Sequence, residues 1–224
     1  MRIVCISDTH SMHAEVAVPD GDVLIHGGDL TGRGKSREIE SAAAWLGGLP
    51  HAHKLVIAGN HDFLFESDPV RARDLIEAAG VTYLQDEGVE IEGVHFWGSP
   101  WQPWFHDWAF NLPRGEELQR VWAKIPEHTD VLITHGPPFG VLDRVVRGGM
   151  SVGCEALAER LGELDVSLHV FGHIHEAYGI HGRSGERISI NASVTNLRYE
   201  PIQPPVSVEW CHQTRTAEVL PADS

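Results

Sequence analysis

The sequence predicts a layered α/β domain in which mixed sheets are flanked by helices. Three observations favour this fold class. Short apolar runs rich in Val, Ile and Leu recur along the chain, and helical patterns of apolar residues alternate with them. Hairpin-like segments are also present, and they require antiparallel pairing. With 224 residues and a hydrophobic fraction of 42%, the chain can bury a real core, and we predict one domain over residues 1–224.

Five apolar runs are predicted as buried strands, because each is short and is closed by Gly or a polar residue. They are RIVCIS (2–7), DVLIHG (22–27), KLVIAG (54–59), DVLITHG (130–136) and VSLHVFG (166–172). VEIEGVHFWG (89–98) resembles a hairpin that turns at Gly93. A late group of strands is predicted at ERISINAS (186–193), VSVEW (206–210) and TAEVL (216–220).

Helices are predicted between the strands. Residues 37–48 repeat apolar side chains with helical spacing and stop at a Gly pair. Residues 68–80 begin with Asp-Pro, a cap followed by a first-turn proline, and end at Gly80. Residues 115–125 present one apolar face before Pro126, and residues 153–164 form a fourth helical pattern.

The charge balance excludes one class of partner. The net charge is −15, with 32 acidic against 17 basic residues, and the basic residues are scattered. Such a surface repels a polyanion, so we expect no long nucleic acid as a partner. A small phosphorylated substrate is compatible with this charge if the site supplies its own positive charge, for example a metal ion.

The three cysteines are isolated, which predicts neither a disulfide framework nor a thiolate metal site. A reducing compartment fits this usage. The apolar start MRIVCIS is too short for a signal-peptide core, and no run approaches transmembrane length. We therefore expect a cytoplasmic protein without a membrane partner, and the oligomeric state stays open.

Each of the five apolar runs is followed at once by Asp, Asn or His. A single residue of this kind is typical of a turn or of a hydrogen-bonded core position. Five strand ends that all carry potential ligands are not explained in that way. The carboxyl ends of strands border the ligand crevice of open α/β sheets, so we expect the side chains to converge. The residues are Asp8, His10, Asp29, Asn60, His61, Asp62, His135, His173 and His175.

Three oxygen donors and four imidazoles are too many for one ion. Two ions that share a bridging Asp29 would use all seven and leave open positions for water and substrate. The mixture of nitrogen and oxygen donors suits divalent or trivalent transition metals such as Mn, Fe or Zn, without selecting one. The seven predicted ligands are Asp8, His10, Asp29, Asn60, His135, His173 and His175.

The ordered motifs D-x-H, G-D, G-N-H-D, H-G and G-H-x-H resemble those of the calcineurin-like metallophosphoesterases, from residue 3 to about 195. The resemblance implies a four-layer α/β/β/α sandwich of two mixed sheets flanked by helices. It also implies a first ion held by Asp8, His10, Asp29 and His175, and a second ion held by Asp29, Asn60, His135 and His173. The segment GSPWQPWFHDWAFNLPRG is similar to the small metallophosphoesterase-domain-containing branch, whose members include cyclic-nucleotide phosphodiesterases.

The predicted function is hydrolysis of a small phosphodiester, such as a cyclic nucleotide, by in-line attack of a metal-bridging hydroxide. His61 is the predicted proton donor to the leaving oxygen. Asp62 either orients His61 and raises its pKa or caps a turn. A phosphomonoesterase of the same fold and a metal-dependent scaffold without turnover are the alternatives.

Substrate contacts are expected from Asn60, His61, Arg33 and Trp101. Trp101 belongs to the Trp-rich segment 97–110, which either stacks on the substrate or packs over the sandwich. Arg33 either touches a phosphate or is a solvated loop residue. His13 and His26 are candidates to support the ligands, with an ordinary core or surface role as the alternative.

Overall fold

The computed structural model of the protein describes residues 1–182 and 186–221, and strands form its framework. In chain order the strands are β1 (Arg2–Ile6), β2 (Val23–His26), β3 (His53–Val56), β4 (Thr82–Tyr83), β5 (Glu87–Ile91), β6 (Val94–Ser99), β7 (Gln102–Pro103), β8 (Asn111–Leu112), β9 (Val131–Thr134), β10 (Leu168–Phe171), β11 (Gly179–His181), β12 (Ile188–Asn191), β13 (Val206–Cys211) and β14 (Thr216–Val219). The α-helices are α1 (Ser36–Gly48), α2 (Phe63–Ser67), α3 (Pro69–Glu77), α4 (Glu116–Trp122) and α5 (Glu155–Glu163).

Two six-stranded mixed sheets carry the fold. The first has the strand order β14-β13-β1-β2-β3-β4, and the second has the order β11-β12-β10-β9-β6-β5. The central strands run in parallel, as in the pairs β1–β2 and β9–β10, whereas the hairpins β5–β6 and β13–β14 are antiparallel. β7 and β8 form a separate two-stranded pair.

The main hydrophobic core lies between the two sheets. Ile3 and Cys5 of β1 belong to the same buried cluster as Val131 of β9 and Val170 of β10. Val4 of β1 points the other way and belongs to the cluster under the helices. Because both faces of the central strands are covered, these strands are apolar throughout instead of alternating with polar residues.

Helices cover the outer face of each sheet. Ile39 of α1 and Ile76 of α3 pack with the first sheet, and Leu118 of α4 and Leu157 of α5 pack with Leu132 of the second. The layers therefore follow the order helix, sheet, sheet, helix, which confirms the predicted α/β/β/α sandwich. Among the described residues, no helix has the length and apolar character to span a bilayer.

The predicted and observed elements differ mainly at their ends. The strand predicted at 2–7 ends at Ile6, and the strand predicted at 22–27 ends at His26. Beyond these ends the chain turns through the left-handed region, with φ of 58° at Asp8 and 54° at Asp29. The apolar pattern did not predict the short helix α2, which precedes α3.

Candidate metal centre

The predicted ligands come together at the carboxyl ends of the central strands of both sheets. An isolated bridge between Ser7 and Ser193 lies beside them, so the donors face one another across the seam between the sheets. The loops after the first sheet supply Asp8, His10, Asp29 and Asn60, and those after the second supply His135, His173 and His175.

Asp8, His10 and His175 form one group of donor atoms. Nε2 of His175 lies 3.4 Å from Oδ1 of Asp8 and 3.2 Å from Nε2 of His10. Nε2 of His10 in turn lies 3.8 Å from Oδ2 of Asp29. These separations are compatible with a single ion between the donor atoms.

Asp29, His135 and His173 form a neighbouring group. Nε2 of His135 lies 3.4 Å from Oδ2 of Asp29 and 2.9 Å from Oδ1 of Asn60. Because Oδ2 of Asp29 also faces the first group, this carboxylate lies where a ligand shared by two ions would lie. The structure thus brings all seven predicted ligands into one cluster.

Backbone carbonyls fix the ring orientation of two candidate ligands. Nδ1 of His135 donates to the carbonyl of Gly27 at 2.9 Å, and Nδ1 of His175 donates to the carbonyl of Asn196 at 3.1 Å. A carbonyl can only accept, so Nδ1 carries the proton in both rings. Nε2 of each ring is consequently directed at the cluster, as a metal ligand requires once that nitrogen is deprotonated.

The surroundings of His135 fit a cation. Its Nε2 meets acceptors, the carboxylate of Asp29 and the amide oxygen of Asn60, so a positive charge is needed between them. Burial lowers the pKa of His135, but the Asp29 carboxylate outweighs burial and raises the pKa to about 9. The second proton that His135 then holds occupies the position that a divalent ion can take.

Three of the other donors, His10, His173 and Asp8, are in the protonation state that binds a cation. Burial lowers the pKa of His10 to about 4 and that of His173 to about 3, so both rings are neutral at pH 7. Burial opposes ionisation of Asp8, yet its hydrogen bond to His175 and the charge on that ring hold the pKa of Asp8 well below its usual range. Neutral imidazoles and ionised carboxylates are the forms that coordinate metal ions. His175 resembles His135, because burial lowers its pKa but the hydrogen bond to Asp8 outweighs burial and raises it, so a bound ion would replace a proton there too.

Backbone strain is concentrated at these ligands. Four of the seven have positive φ, namely 58° at Asp8, 43° at His10, 54° at Asp29 and 68° at His173. Each such conformation costs a non-glycine residue about 1–2 kcal/mol, and such residues cluster at functional sites. The fold therefore tolerates strain to turn these side chains toward one another.

Most of the chain matches one known family. The family model described as Calcineurin-like phosphoesterase matches residues 1–177. The chain belongs to the calcineurin-like phosphoesterase family. Members of this family use a dinuclear divalent metal centre, and the two neighbouring donor groups are the candidate ligands for it. Family membership and these ligands together support a metal-dependent phosphoesterase.

Individual relatives share this likeness. Metallophosphoesterase domain-containing protein 1 of Homo sapiens is 42% identical over 232 residues, covering 93% of this chain and 70% of that protein. The UPF0046 protein K07C11.7 of Caenorhabditis elegans is 40% identical over 208 residues, covering 88% of this chain and 70% of that protein. The crystal structure of TT1561 of Thermus thermophilus aligns with a TM-score of 0.59 over 97% of each chain, at 13% identity, which shows a shared fold alone.

His61 of this calcineurin-like phosphoesterase lies beside the two donor groups. Its Nε2 is 4.0 Å from Oδ2 of Asp29, and its Nδ1 donates to the carbonyl of Gly32 at 2.9 Å. Trp108 covers one face of the ring, with the centroids 4.1 Å apart. His61 also forms a third group of donor atoms with His10 and Asp29, so its position fits either a proton donor or a ligand.

The predicted contact between Asp62 and His61 is wrong. The Gly32 carbonyl, and not Asp62, holds Nδ1 of His61. The buried carboxylate of Asp62 instead accepts hydrogen bonds from the backbone N–H groups of Leu30, Thr31 and Gly59 and from the Thr31 hydroxyl. Burial and the neighbouring Asp29 raise the pKa of Asp62 to about 7. Asp62 therefore fastens the loops that carry the ligands, which agrees with the turn-capping alternative.

Asp62→Asn is expected to lower the free energy of unfolding by about 2–3 kcal/mol, because the amide nitrogen would face N–H donors that now bond a charged carboxylate. Urea unfolding at pH 8, where the carboxyl is ionised, measures this loss, with exposed Asp20→Asn as the control. The pH profile of kcat should keep its shape. A shifted profile with unchanged stability would instead restore the role of orienting His61.

A cavity of about 670 Å³ opens over the donor cluster, and it corrects two predicted substrate contacts. Trp101 lies outside it, because the indole packs edge-on against Phe110 and donates to Asp86. Arg33 is exposed and is not part of the lining. The Trp-rich segment both packs on the sandwich and reaches the site, since Trp104, Phe105 and Trp108 line the cavity.

Neither His13 nor His26 contacts a predicted ligand through a hydrogen bond. Nε2 of His13 bonds the Ser41 hydroxyl at 3.1 Å, and Nε2 of His26 bonds the Thr9 hydroxyl at 3.0 Å. Burial lowers the pKa of His26 to about 3, which keeps the ring neutral. Both histidines therefore fit the alternative of an ordinary core role.

Gly172 gives the Asp8 carboxylate its space, since a Cβ at this position would overlap both that carboxylate and the Ser7 hydroxyl. We expect Gly172→Ala to cost about 2–3 kcal/mol and to lower Tm by roughly 5–10 °C. Gly162→Ala is the matched control, because a Cβ there meets no described atom within 4 Å outside its helix. Equal Tm values for the two variants would contradict this close approach.

Proposed function

We propose that this protein hydrolyses small phosphodiesters at a centre of two transition-metal ions, with cyclic nucleotides as the first natural esters to test. One observation carries the proposal. Asp29 lies between two donor groups at the floor of a cavity of about 670 Å³, and Nε2 of His61 lies 4.0 Å from its Oδ2. Two adjacent cation positions, an imidazole and space for an organic group are the parts that this reaction needs.

When bound, the two ions supply positive charge that neutralises phosphoryl oxygens and lowers the pKa of a water. The carboxylates of Asp8 and Asp29 provide the negative charge that holds them. His61 carries one proton on Nδ1, fixed by the Gly32 carbonyl, so any proton it exchanges with a substrate is on Nε2. Trp108 lies against the ring, and the His61 side chain is 12% exposed. These contacts suit transfer of the Nε2 proton to a leaving oxygen.

The character of the cavity wall supports a diester. Away from the donor groups, much of the lining is aromatic or aliphatic. Of its two guanidinium groups, Arg114 is already engaged by Glu155 and by the carbonyls of Val152 and Gly153. A diester carries one charge and two organic groups, whereas a monoester dianion requires more cationic contacts. The apolar lining residues include Trp104, Phe105, Trp108, Val145, Met150, Leu197 and Tyr199.

Hydrolysis of bis-p-nitrophenyl phosphate and p-nitrophenyl phosphate by Mn²⁺-loaded protein tests this proposal. We expect kcat/KM for the diester to exceed that for the monoester by at least about tenfold, or about 1.4 kcal/mol, and chelation to abolish both. A preference for the monoester would select the phosphomonoesterase alternative. No turnover of either ester by protein shown to hold two ions would select the non-catalytic scaffold. A panel of cyclic nucleotides then narrows the natural substrate.

A further inference from the structure

Tyr199 holds a strained position at the mouth of the metal centre. It lies in the connection between β12 and β13 with φ of 61°, an outlier for a bulky aromatic residue. Its side chain lines the cavity, and the residue is 46% exposed. Burial of the ring in the core therefore does not explain why the chain keeps this conformation.

The Tyr199 ring contacts three histidines of the site. Its centroid lies 4.8 Å from that of His10, 5.3 Å from that of His175 and 6.3 Å from that of His61. The interplanar angles are 78°, 84° and 64°, so all three contacts are edge-to-face. One ring thus touches two candidate ligands of the same ion and the candidate proton donor.

These contacts matter most for His10. The second nitrogen of a metal-binding histidine is normally hydrogen-bonded. In His135 and His175 this nitrogen donates to the carbonyls of Gly27 and Asn196, respectively. Nδ1 of His10 is buried, and it has no hydrogen-bond partner among the described residues. Packing therefore contributes to the orientation of this ring, whose centroid lies 4.6 Å from that of His61, 4.8 Å from that of Tyr199 and 5.1 Å from that of His175. Of these three rings, that of Tyr199 is neither a candidate ligand nor the candidate proton donor.

The turn that carries Tyr199 is also the anchor of His175. The carbonyl of Asn196 accepts from Nδ1 of His175 at 3.1 Å and from the Tyr199 N–H at 2.9 Å. The side-chain oxygen of Asn196 accepts from the N–H groups of Arg198 and Glu200 at 2.8 and 3.1 Å. The ring and the anchor of the ligand therefore belong to one hydrogen-bonded unit.

We propose that Tyr199 is a positioning residue for the ion that Asp8, His10, Asp29 and His175 would hold. Its ring sets the orientation of His10 relative to His175, and the strained backbone of the 196–200 turn holds the ring in place. This inference rests on the proposed function, because it assumes that the donor cluster binds two ions.

Mn²⁺ titration followed by electron paramagnetic resonance tests the inference. We expect Tyr199→Ala to weaken the binding of one of the two ions by about 10–100-fold and to leave the affinity for the other unchanged. Lost kcat should return at excess Mn²⁺ with little change in KM. Tyr199→Phe keeps the ring and should recover binding of both ions. The control is Ile202→Ala, which removes a 69% exposed side chain from the same connection, outside the cavity.

The outcomes separate this inference from the proposed function. Wild-type protein that binds no pair of ions would overturn both. A wild-type pair with unchanged affinities in Tyr199→Ala would overturn the inference alone, and a raised KM in that case would make Tyr199 a substrate contact. Circular dichroism checks that the Tyr199→Ala variant is folded. If that variant does not fold, Tyr199→Leu is used in its place. Equal ion affinities in folded Tyr199→Leu and wild type would also overturn the inference.

Discussion

Asp29→Asn is expected to lower kcat/KM by at least about 10³-fold and to reduce the bound metal below two ions per chain. Oδ1 of Asp29 accepts from the His61 N–H at 2.7 Å, so an asparagine keeps its oxygen on that side. Its amide nitrogen would then point toward His10 and His135, where Oδ2 of Asp29 now lies 3.8 and 3.4 Å from their Nε2 atoms. An N–H group cannot coordinate a cation, and several kcal/mol of transition-state stabilisation depend on the ions.

Elemental analysis and diester kinetics on the same preparation measure this prediction. Asp130→Asn is the matched control, because Asp130 is also a buried carboxylate but pairs with Arg215 and the His95 N–H away from the cavity. We expect that control to lose stability and to keep its metal. If Asp29→Asn retained two ions and normal turnover, the shared position of Asp29 would be wrong.

His61→Ala is expected to lower kcat by about 10²–10⁴-fold while the metal content stays at the wild-type value. The expected loss depends on the leaving group, because nitrophenolate departs readily without a proton whereas an alkoxide does not. An alkyl ester should therefore be affected more strongly than bis-p-nitrophenyl phosphate.

The metal content decides between two roles for His61, since this residue also lies in a donor group with His10 and Asp29. Loss of an ion in His61→Ala would make it a ligand. Retention of the metal with an equal loss for alkyl and nitrophenyl esters would contradict proton donation. The exposed His53→Ala serves as the control for removal of an imidazole from this chain.

The sequence predicts the fold best where burial leaves a clear pattern of apolar residues. Strand β1 is covered on both faces and therefore reads as an unbroken apolar run, and α1 repeats its apolar residues with helical spacing. The pair β7 and β8 was not predicted, because its two-residue strands are too short to show a period. The prediction of one domain over residues 1–224 stays a prediction.

The ligand cluster was predictable because strand ends place polar residues at one edge, whatever the loops between them do. The contacts around it were not. Asp62 follows His61 in sequence, but the turn directs its carboxylate to the backbone of the preceding ligand loop. Four tryptophans look alike in segment 97–110, and loop geometry alone determines that Trp108 and not Trp101 reaches His61. No sequence pattern predicts the contact of Tyr199 with the histidines, because the position of its ring depends on the conformation of a single turn.

The donors come from both sheets, and this division has a mechanical consequence. Bound cations would join the two sheets at one rim of the sandwich. They would add to the hydrogen bonds that already cross there, such as those from Nδ1 of His135 to the Gly27 carbonyl and from the Thr195 hydroxyl to the Asp8 carbonyl. A ligand that binds only the folded chain adds about 2.7 kcal/mol at one hundred times its Kd. Chelation would then remove this added stabilisation from the rim at which the two sheets meet.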